Sequence, residues 1–575
     1  MTLAKPKKKK KPKVKVLSKA EKAQKKLETD HKALVRKVFR FTGFRKFQKL
    51  ADKQFWLDEN TTSDFDDVFM FENVIVCAEY TTSQDVGNHI KPKKLIYDAI
   101  EADKSKFLNV LAALDPEFSE ALSADYNIEE FVLKIVYCSR REYDPKYRVT
   151  VPNPQYLDYP DLRYFASVTD CIKHSARSEL LAFLDIPFSS IGNNGAVDVS
   201  EGSKKYSTLV LPEANSNFDP GYKVVSFYAE PEELLKRAYV LRQQGWRDAG
   251  TLYQRMISKA KVESMRKHLK TKKRVFVNNI IATLDDDTRI VRANGDTVDP
   301  SMISKTEAAF IQIPNRTNTI GLVDGQHRTF CYYEGDPDDG EIKKLRTKQT
   351  LLVTGVIYPP GTDQATREVF EARLFLEINS TQSTVKPALT LALNQTIDPF
   401  ADESIAKRVL DAINAGSGPL AGQIERYWFD ENKLKTTSVV RFALKPLVKT
   451  SGDDSLFSKW PNSAKQDMIK NKNYALLSDY VKFCVSEIDP FLIAIKKQLP
   501  FNLWTPDKKV PGRLITTTVI NSLFICLRFL IRDGIQMNQS FYETQLKNLT
   551  PDDFKGFHSS QYSRLAGRLQ IKFFN

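Results

Sequence analysis

Between residues 223 and 358, short apolar runs of strand character alternate with stretches of helical spacing, and this alternation narrows the fold more than any other feature. Residues 223–228 read as a strand and 231–242 as a helix; a basic helix follows over 259–274, then strands at 275–284, 319–323 and 350–358. Strands interleaved with helices argue for an α/β unit, placed here at about residues 216–390. At 575 residues the chain exceeds what one hydrophobic core usually serves, so further domains are expected on both sides. Residues 1–60 form a lysine arm followed by a helix through 33–56. Residues 61–205 open on an apolar run at 68–76 and continue with helix-like stretches, one placing Phe165, Val168, Ile172 and Ala176 on a single face. Residues 189–205, with Gly192, Asn193, Asn194 and Gly195, read as a loop or boundary. Residues 391–575 are mainly helical, with helices over 403–415, 473–495 and 514–532. The expected class is therefore α/β (α+β) and multidomain, with no internal repeat.

Composition removes several classes. A hydrophobic share of 42% excludes global disorder. The most membrane-like stretch, 514–531, carries Thr516, Thr517, Thr518, Asn521 and Arg528 and reads as a buried helix, so no membrane association is expected. No apolar segment follows the N-terminal lysines, so secretion is not expected. Six cysteines lie far apart without a CxxC, which fits neither a disulfide framework nor a thiolate zinc site. A soluble cytoplasmic protein is expected, nuclear if the host is eukaryotic.

The net charge of +15 is unevenly placed: residues 1–26 hold twelve lysines and one acid, and so carry +11 of it. Lys7, Lys8, Lys9 and Lys10 belong to a solvated arm that grips phosphates without reading sequence, serves as a nuclear signal, or simply aids solubility. The basic helix is a second cationic element, with eight Lys or Arg and one acid, Glu263, over 259–274. Val262, Met265 and Leu269 give it a packing face. Arg266, Lys267 and Lys270 then suit a DNA-backbone surface, or an ordinary solvated face.

One segment concentrates chemistry. The apolar run ending at Val323 leads into Asp324, Gly325, Gln326, His327 and Arg328, a Gly-bearing turn before a probable helix. A helix start attracts anions, Gly325 admits a ligand close to the backbone, and Arg328 can grip phosphate oxygens. His327 can exchange a proton near neutral pH, and Asp324 can orient it or hold a metal. The competing reading makes Asp324 a cap and His327 a core side chain.

The string DGQHR resembles the DGQHR-domain family, which includes proteins of phosphorothioation operons. The resemblance extends over about residues 218–450, through Tyr253, Gln254 and Arg255 on one side and the run FLEINSTQSTVK at 375–386 on the other. It implies a ParB/sulfiredoxin-like central domain that handles nucleotide phosphates. Asp324, His327 and Arg328 would be its catalytic groups, with Gly325, Gln326, Gln254, Arg255, Asn379 and Gln382 lining the nucleotide cleft. The implied ligand is a nucleoside triphosphate, ATP or CTP. The implied setting is DNA modification or phage defence, alongside other proteins of the same operon. Cys331 lies outside the motif, so no sulfiredoxin-like nucleophile is expected.

A second candidate lies upstream. Asp66 and Asp67 lead through a hairpin-like run to Glu79, with a helix following through 89–100. Two acids at the mouths of adjacent strands suit Mg²⁺, with Asp67 and Glu79 as its ligands. The order is similar to the PD-(D/E)xK nuclease family and implies a restriction-endonuclease-like N-terminal domain, but the family's lysine position is Thr81. A lysine of the next helix (Lys91, Lys93 or Lys94) would substitute, Lys91 being the first choice. Otherwise the domain is nuclease-shaped and inactive, with Glu79 a surface charge.

Other chemistries have no support. No two histidines sit at HxxxH spacing, and there is neither a GxSxG nor a P-loop. Cys171 and His174 form a lone CxxH in an apolar helix, and Arg426 to Phe429 read as core aromatics. The expected function is a DNA-associated defence or modification protein that binds, and on one reading hydrolyses, a nucleotide. The alternatives are a non-catalytic DNA-binding regulator and a partner-binding scaffold.

Overall fold

The computed structural model describes residues 18–59, 61–192, 204–242, 246, 256–382, 387–427, 429–535, 538–558 and 560–575. The lysine arm, Gln254 and Arg255, and the tip of the boundary loop lie outside these residues.

Ser18 starts the first helix through a capping box: its hydroxyl accepts from the Glu21 N–H, and the Glu21 carboxylate accepts from the Ser18 N–H. The helix Lys19–Phe41 buries Val35, Val38 and Phe39. It ends well before the 56 expected from sequence. The Thr42 hydroxyl takes up the carbonyls of Val38 and Phe39, and Gly43, at φ +89°, turns the chain away.

The first sheet has the order β1, β4, β5, β6, β7. β1 (Arg45–Lys46), β4 (Asp67–Phe71) and β5 (Val74–Thr81) run antiparallel, while β6 (Val132–Ser139) and β7 (Gln155–Asp158) run parallel to β5. β2 (Phe55–Trp56) and β3 (Thr62–Ser63) form a separate ribbon. The apolar run at 68–76 is thus the hairpin itself. Every residue of β5 is buried, because helices cover both faces. Val74, Val76, Ala78 and Tyr80 face the helices Lys19–Phe41 and Tyr159–Ile172, whereas Ile75 and Cys77 face the helices Lys94–Ala102 and Lys104–Leu114.

The central sheet has eight strands: β8 (Lys204–Val210), β9 (Lys223–Ala229), β10 (Ala238–Tyr239), β11 (Ile280–Leu284), β12 (Arg289–Val291), β13 (Glu307–Ile313), β14 (Ile320–Asp324) and β15 (Leu351–Ile357). Their order is β10-β14-β11-β15-β9-β8-β13-β12. The expected alternation is present, with the strand expected at 275–284 confined to Ile280–Leu284 and two further differences. The helix begun at Pro231 stops at Arg237 because the chain enters β10 beside β14. β8, β12 and β13 were not foreseen, since β8 alternates buried Tyr206, Thr208 and Val210 with polar or exposed neighbours. β8 pairs with β9 and β13, so it belongs to the central sheet rather than to the segment ending at 205.

One hydrophobic core runs from Val35 and Phe39 through Phe165, Val168 and Leu180 into Ile280, Leu322 and Val353, so both sheets share it. A second core belongs to the helical region, with the helices Asp402–Ala415, Tyr474–Gln498, Thr517–Arg532 and Tyr562–Phe573. The stretch at 514–531 is the buried helix expected: Val519 to Leu527, Leu530 and Ile531 are all buried. No helix among the described residues is long and apolar enough to cross a membrane.

Candidate functional site

The DGQHR segment folds as strand, turn and short helix. β14 delivers Asp324, Gly325 takes φ +99°, and the helix Gln326–Phe330 spans only five residues. Asp324 and Arg328 are paired at 2.8 Å, and the same guanidinium nitrogen donates to the Asn279 carbonyl at 2.9 Å. A Cβ at position 325 would stand 3.0 Å from Ile280 and 3.3 Å from Arg328, so the turn is closed against β11. His327 accepts at Nε2 from the Ser258 N–H at 3.1 Å. A backbone N–H only donates, so Nε2 is unprotonated and taking a proton there requires that bond to break. Gln326 accepts from the buried Arg242, which also donates to Glu179 and Tyr164 and lies over the Phe330 ring. Two polar atoms of this segment, Arg328 Nε and Thr329 Oγ1, are buried without a hydrogen-bond partner among the described residues.

Of the other residues expected at this cleft, Asn379 lies in the helix Gln364–Gln382 and donates back to the Phe375 carbonyl at 2.9 Å. The backbone of Gln382 belongs to the same helix. Cys331 is buried, its thiol pushed up by burial and turned to the Arg328 carbonyl.

Sequence reading missed a cluster behind the turn. Glu371 is 1% exposed, and its Oε1 accepts from Tyr239 and Thr283 at 2.6 Å and from Tyr358 at 2.7 Å. Gly321 makes the room: a Cβ there would stand 2.3 Å from Thr283 Oγ1 and 2.6 Å from Glu371 Oε1. No local signal marks it, because Glu371 is one of several charged residues in its helix and its three partners come from distant strands.

The basic helix also differs from expectation. Arg266 is turned inward, 4% exposed, donating to the carbonyls of Cys331 and Tyr333 and to Asp339. It braces the turn after the DGQHR helix and is withdrawn from any DNA face. Lys270 is paired with Asp338 at 2.5 Å, and Lys267 is exposed.

In the first sheet, the pair expected to hold Mg²⁺ is split. Asp67 lies opposite Ala78 in register and so shares its face, where it is fully buried and bound by Arg36, Lys46 and Tyr80. Glu79 projects from the other face. Asp66 accepts from the Tyr80 N–H and pairs with Lys32, and burial raises its carboxyl. The lysine that reaches Glu79 is Lys93, not Lys91, which is exposed beside the Tyr147 ring. Lys93 Nζ lies 2.8 Å from Glu79 Oε1, 3.2 Å from Asp64 Oδ1 and 3.0 Å from Ser63 Oγ.

Burial pushes the Glu79 carboxyl up to about 7, with Lys93 opposing. A carboxyl raised on folding binds its proton more tightly in the folded state, so its stabilising share is present below pH ~4.5 and lost as pH rises through about 7. Wild-type stability should therefore fall over this window by about 3 kcal/mol more than that of Glu79→Gln, measured by urea unfolding between pH 5 and 8. Asp161, also raised to about 7 by burial, titrates in both proteins and cancels in the comparison. Equal slopes in the two proteins would show that Glu79 is not held protonated.

Among the described residues, no three His, Cys, Asp or Glu side chains converge as a metal set. Mg²⁺ asks for less, one or two carboxylates with water and phosphate completing the shell. Asp64 and Glu79, both drawn to the Lys93 ammonium, meet that lower requirement; Asp67 does not.

The chain matches no protein-family model, no curated protein and no solved structure.

Proposed function

We propose that this is a DNA-directed protein of the DNA-modification or phage-defence kind, whose N-terminal unit hydrolyses phosphodiester bonds at Glu79 and Lys93. The observation that carries the reading is the Lys93 contact. The sequence has Thr81 where the resemblance calls for a lysine, and Lys93, from the helical turn that follows, brings an ammonium to Glu79. The β4–β5 hairpin carries the acids and the helical turns after it carry the lysine, the order for which the sequence resembles PD-(D/E)xK nucleases, and the DGQHR string supports an association with DNA modification.

In this reading Glu79 and Asp64 would hold Mg²⁺, which when bound supplies charge stabilisation at the scissile phosphate. The chain's own part is to bring an ammonium, Lys93, to the same point. There it donates to a non-bridging phosphate oxygen or orients the attacking water, whose proton passes to solvent as the P–O bond to the leaving alcohol breaks. Removing a preorganised donor of this kind costs on the order of 100-fold in rate. Lys93→Met and Glu79→Gln are each expected to lower plasmid nicking with Mg²⁺ by that amount or more, with folding checked by circular dichroism. Wild-type protein that retards DNA on a gel yet leaves plasmid intact with Mg²⁺ and Mn²⁺ removes the nuclease reading.

A second reading, the non-catalytic DNA-binding regulator, is favoured by the DGQHR geometry. Asp324, one guanidinium nitrogen of Arg328 and His327 Nε2 are engaged within the protein. It predicts DNA binding unaltered in His327→Ala and no phosphate release from ATP or CTP. Turnover lost in His327→Ala would instead establish a nucleotide hydrolase at the turn.

A further inference from the structure

We propose that the cavity where the two sheets' units meet, about 350 Å³ in volume, binds a small phosphate ester of nucleoside-monophosphate size through Arg177 and His174. The site is distinct from both the DGQHR turn and Lys93 and rests on neither reading above. Its walls come from the end of β4 (Phe71 and Glu72), from the turn and helix after Ile172 (His174 and Arg177), and from the central unit (Thr317 and Glu334).

Arg177 is the first reason. Its guanidinium lies 3.9 Å from the centroid of the Phe71 ring and gives one hydrogen bond, Nη1 to the Thr42 carbonyl at 3.0 Å. Among the described residues it has no ion pair. Burial lowers its proton affinity, and Glu334 and Glu72 offset that only from a distance. A half-buried guanidinium with one hydrogen bond among the described residues and no close counter-ion keeps donors to offer, and an oxyanion entering the cavity takes them up.

His174 is the second. Its ring is held between two backbone segments at glycines with φ +89° (Gly43) and +88° (Gly335). A Cβ at Gly335 would stand 2.5 Å from the ring carbon Cγ, and one at Gly43 would stand 3.3 Å from Nε2. Any other residue at those two positions carries both a left-handed backbone and a clash. The backbone fixes the same geometry, with the His174 N–H donating to the Glu334 carbonyl at 3.0 Å and the Glu334 N–H to Ser175 Oγ at 3.1 Å. The ring nitrogens have no hydrogen bond among the described residues. A ring so narrowly held, with its nitrogens unengaged beside a cavity, is preorganised to donate.

The acids define the rest of the ligand. Glu72, which accepts from Tyr126 at 2.6 Å, and Glu334 offer acceptors on other walls. They suit hydroxyl or amino donors and disfavour a bare inorganic anion. The volume stands near the lower end of the range for ligand pockets, about 300 Å³, which admits a nucleoside monophosphate and excludes a dinucleotide.

The test is calorimetric titration of the full chain with adenosine, guanosine, cytidine and uridine 5′-monophosphates, and with inorganic phosphate. At least one nucleotide is expected to bind, and inorganic phosphate at least tenfold more weakly. Loss of the charged donor in Arg177→Gln should weaken binding about tenfold to 100-fold. Ser178→Phe, which fills the cavity from one wall, should abolish it. Hydrogen exchange of wild-type residues 174–181 should slow with the bound nucleotide, a readout that needs no variant. No binding by folded wild type, phosphate binding as tightly as any nucleotide, or full affinity in folded Ser178→Phe would each overturn the proposal.

Discussion

Glu371→Ala is expected to destabilise the central sheet by about 4 kcal/mol, read as faster hydrogen exchange of the β11, β14 and β15 amides and a lower unfolding midpoint. The carboxylate is 1% exposed and a single oxygen accepts from Tyr239, Thr283 and Tyr358, which come from β10, β11 and the end of β15. Removing it takes from three buried hydroxyls the acceptor they share, with the Gly321 carbonyl at 3.4 Å from Thr283 Oγ1 a weak substitute, and each buried donor that loses its acceptor costs about 1–3 kcal/mol before neighbours relax. The deleted side chain adds a cavity that the sheet cannot close, because Gly321 is already the smallest residue there. Glu371→Gln retains an accepting oxygen and should cost about 1–2 kcal/mol. A loss under 1 kcal/mol for the alanine variant would mean that the hydroxyls find other acceptors.

Arg266→Ala is the second large effect, about 3–5 kcal/mol, the range for breaking a buried ion pair from one side. Arg266 spans the carbonyls of Cys331 and Tyr333 and the carboxylate of Asp339, with its guanidinium 4.0 Å from the Tyr333 ring centroid. Arg346 holds the Tyr333 carbonyl and Asp339 from the opposite side, so the variant leaves half of a two-arginine clamp. If the outer face of this helix meets DNA, the two variants separate. Lys267→Ala should reduce the salt dependence of binding by about one unit of slope with stability unchanged. Arg266→Ala should unfold more easily with the slope unchanged. A reduced slope in a stable Arg266→Ala protein would return that side chain to the surface.

What was legible in the chain follows from how local each signal is. β9, β14 and β15 were found close to their ends, because their apolar runs are continuous. The helices Asp402–Ala415 and Thr517–Arg532 were found because their buried faces repeat every turn. β8 and β13 were missed, since half their side chains are polar and what makes them strands is mutual pairing across more than ninety residues. The DGQHR turn lies between strand and helix as expected; one guanidinium nitrogen of Arg328 goes to Asp324 and the Asn279 carbonyl, while its Nε has no hydrogen-bond partner among the described residues. Asp67 and Glu79 were paired by proximity along the hairpin. Strand parity sends them to opposite faces, and only the path of the following turn decides that Lys93 rather than Lys91 arrives.

The single core shared by the two sheets has a bearing on how the protein is made. A ribosome that has released residues up to the end of the helix Arg177–Phe183 has exposed Phe165, Val168 and Leu180, while Leu322 and Val353 of the same core are still unsynthesised. The nascent chain must carry that apolar surface uncovered for well over a hundred codons, the interval in which aggregation competes with folding. Truncation after the helix Arg177–Phe183 should therefore give insoluble protein, while the two halves made together from separate messages should rescue one another. Expression hosts with ample trigger-type holdases and slow elongation at low temperature are the conditions under which this chain is best obtained whole.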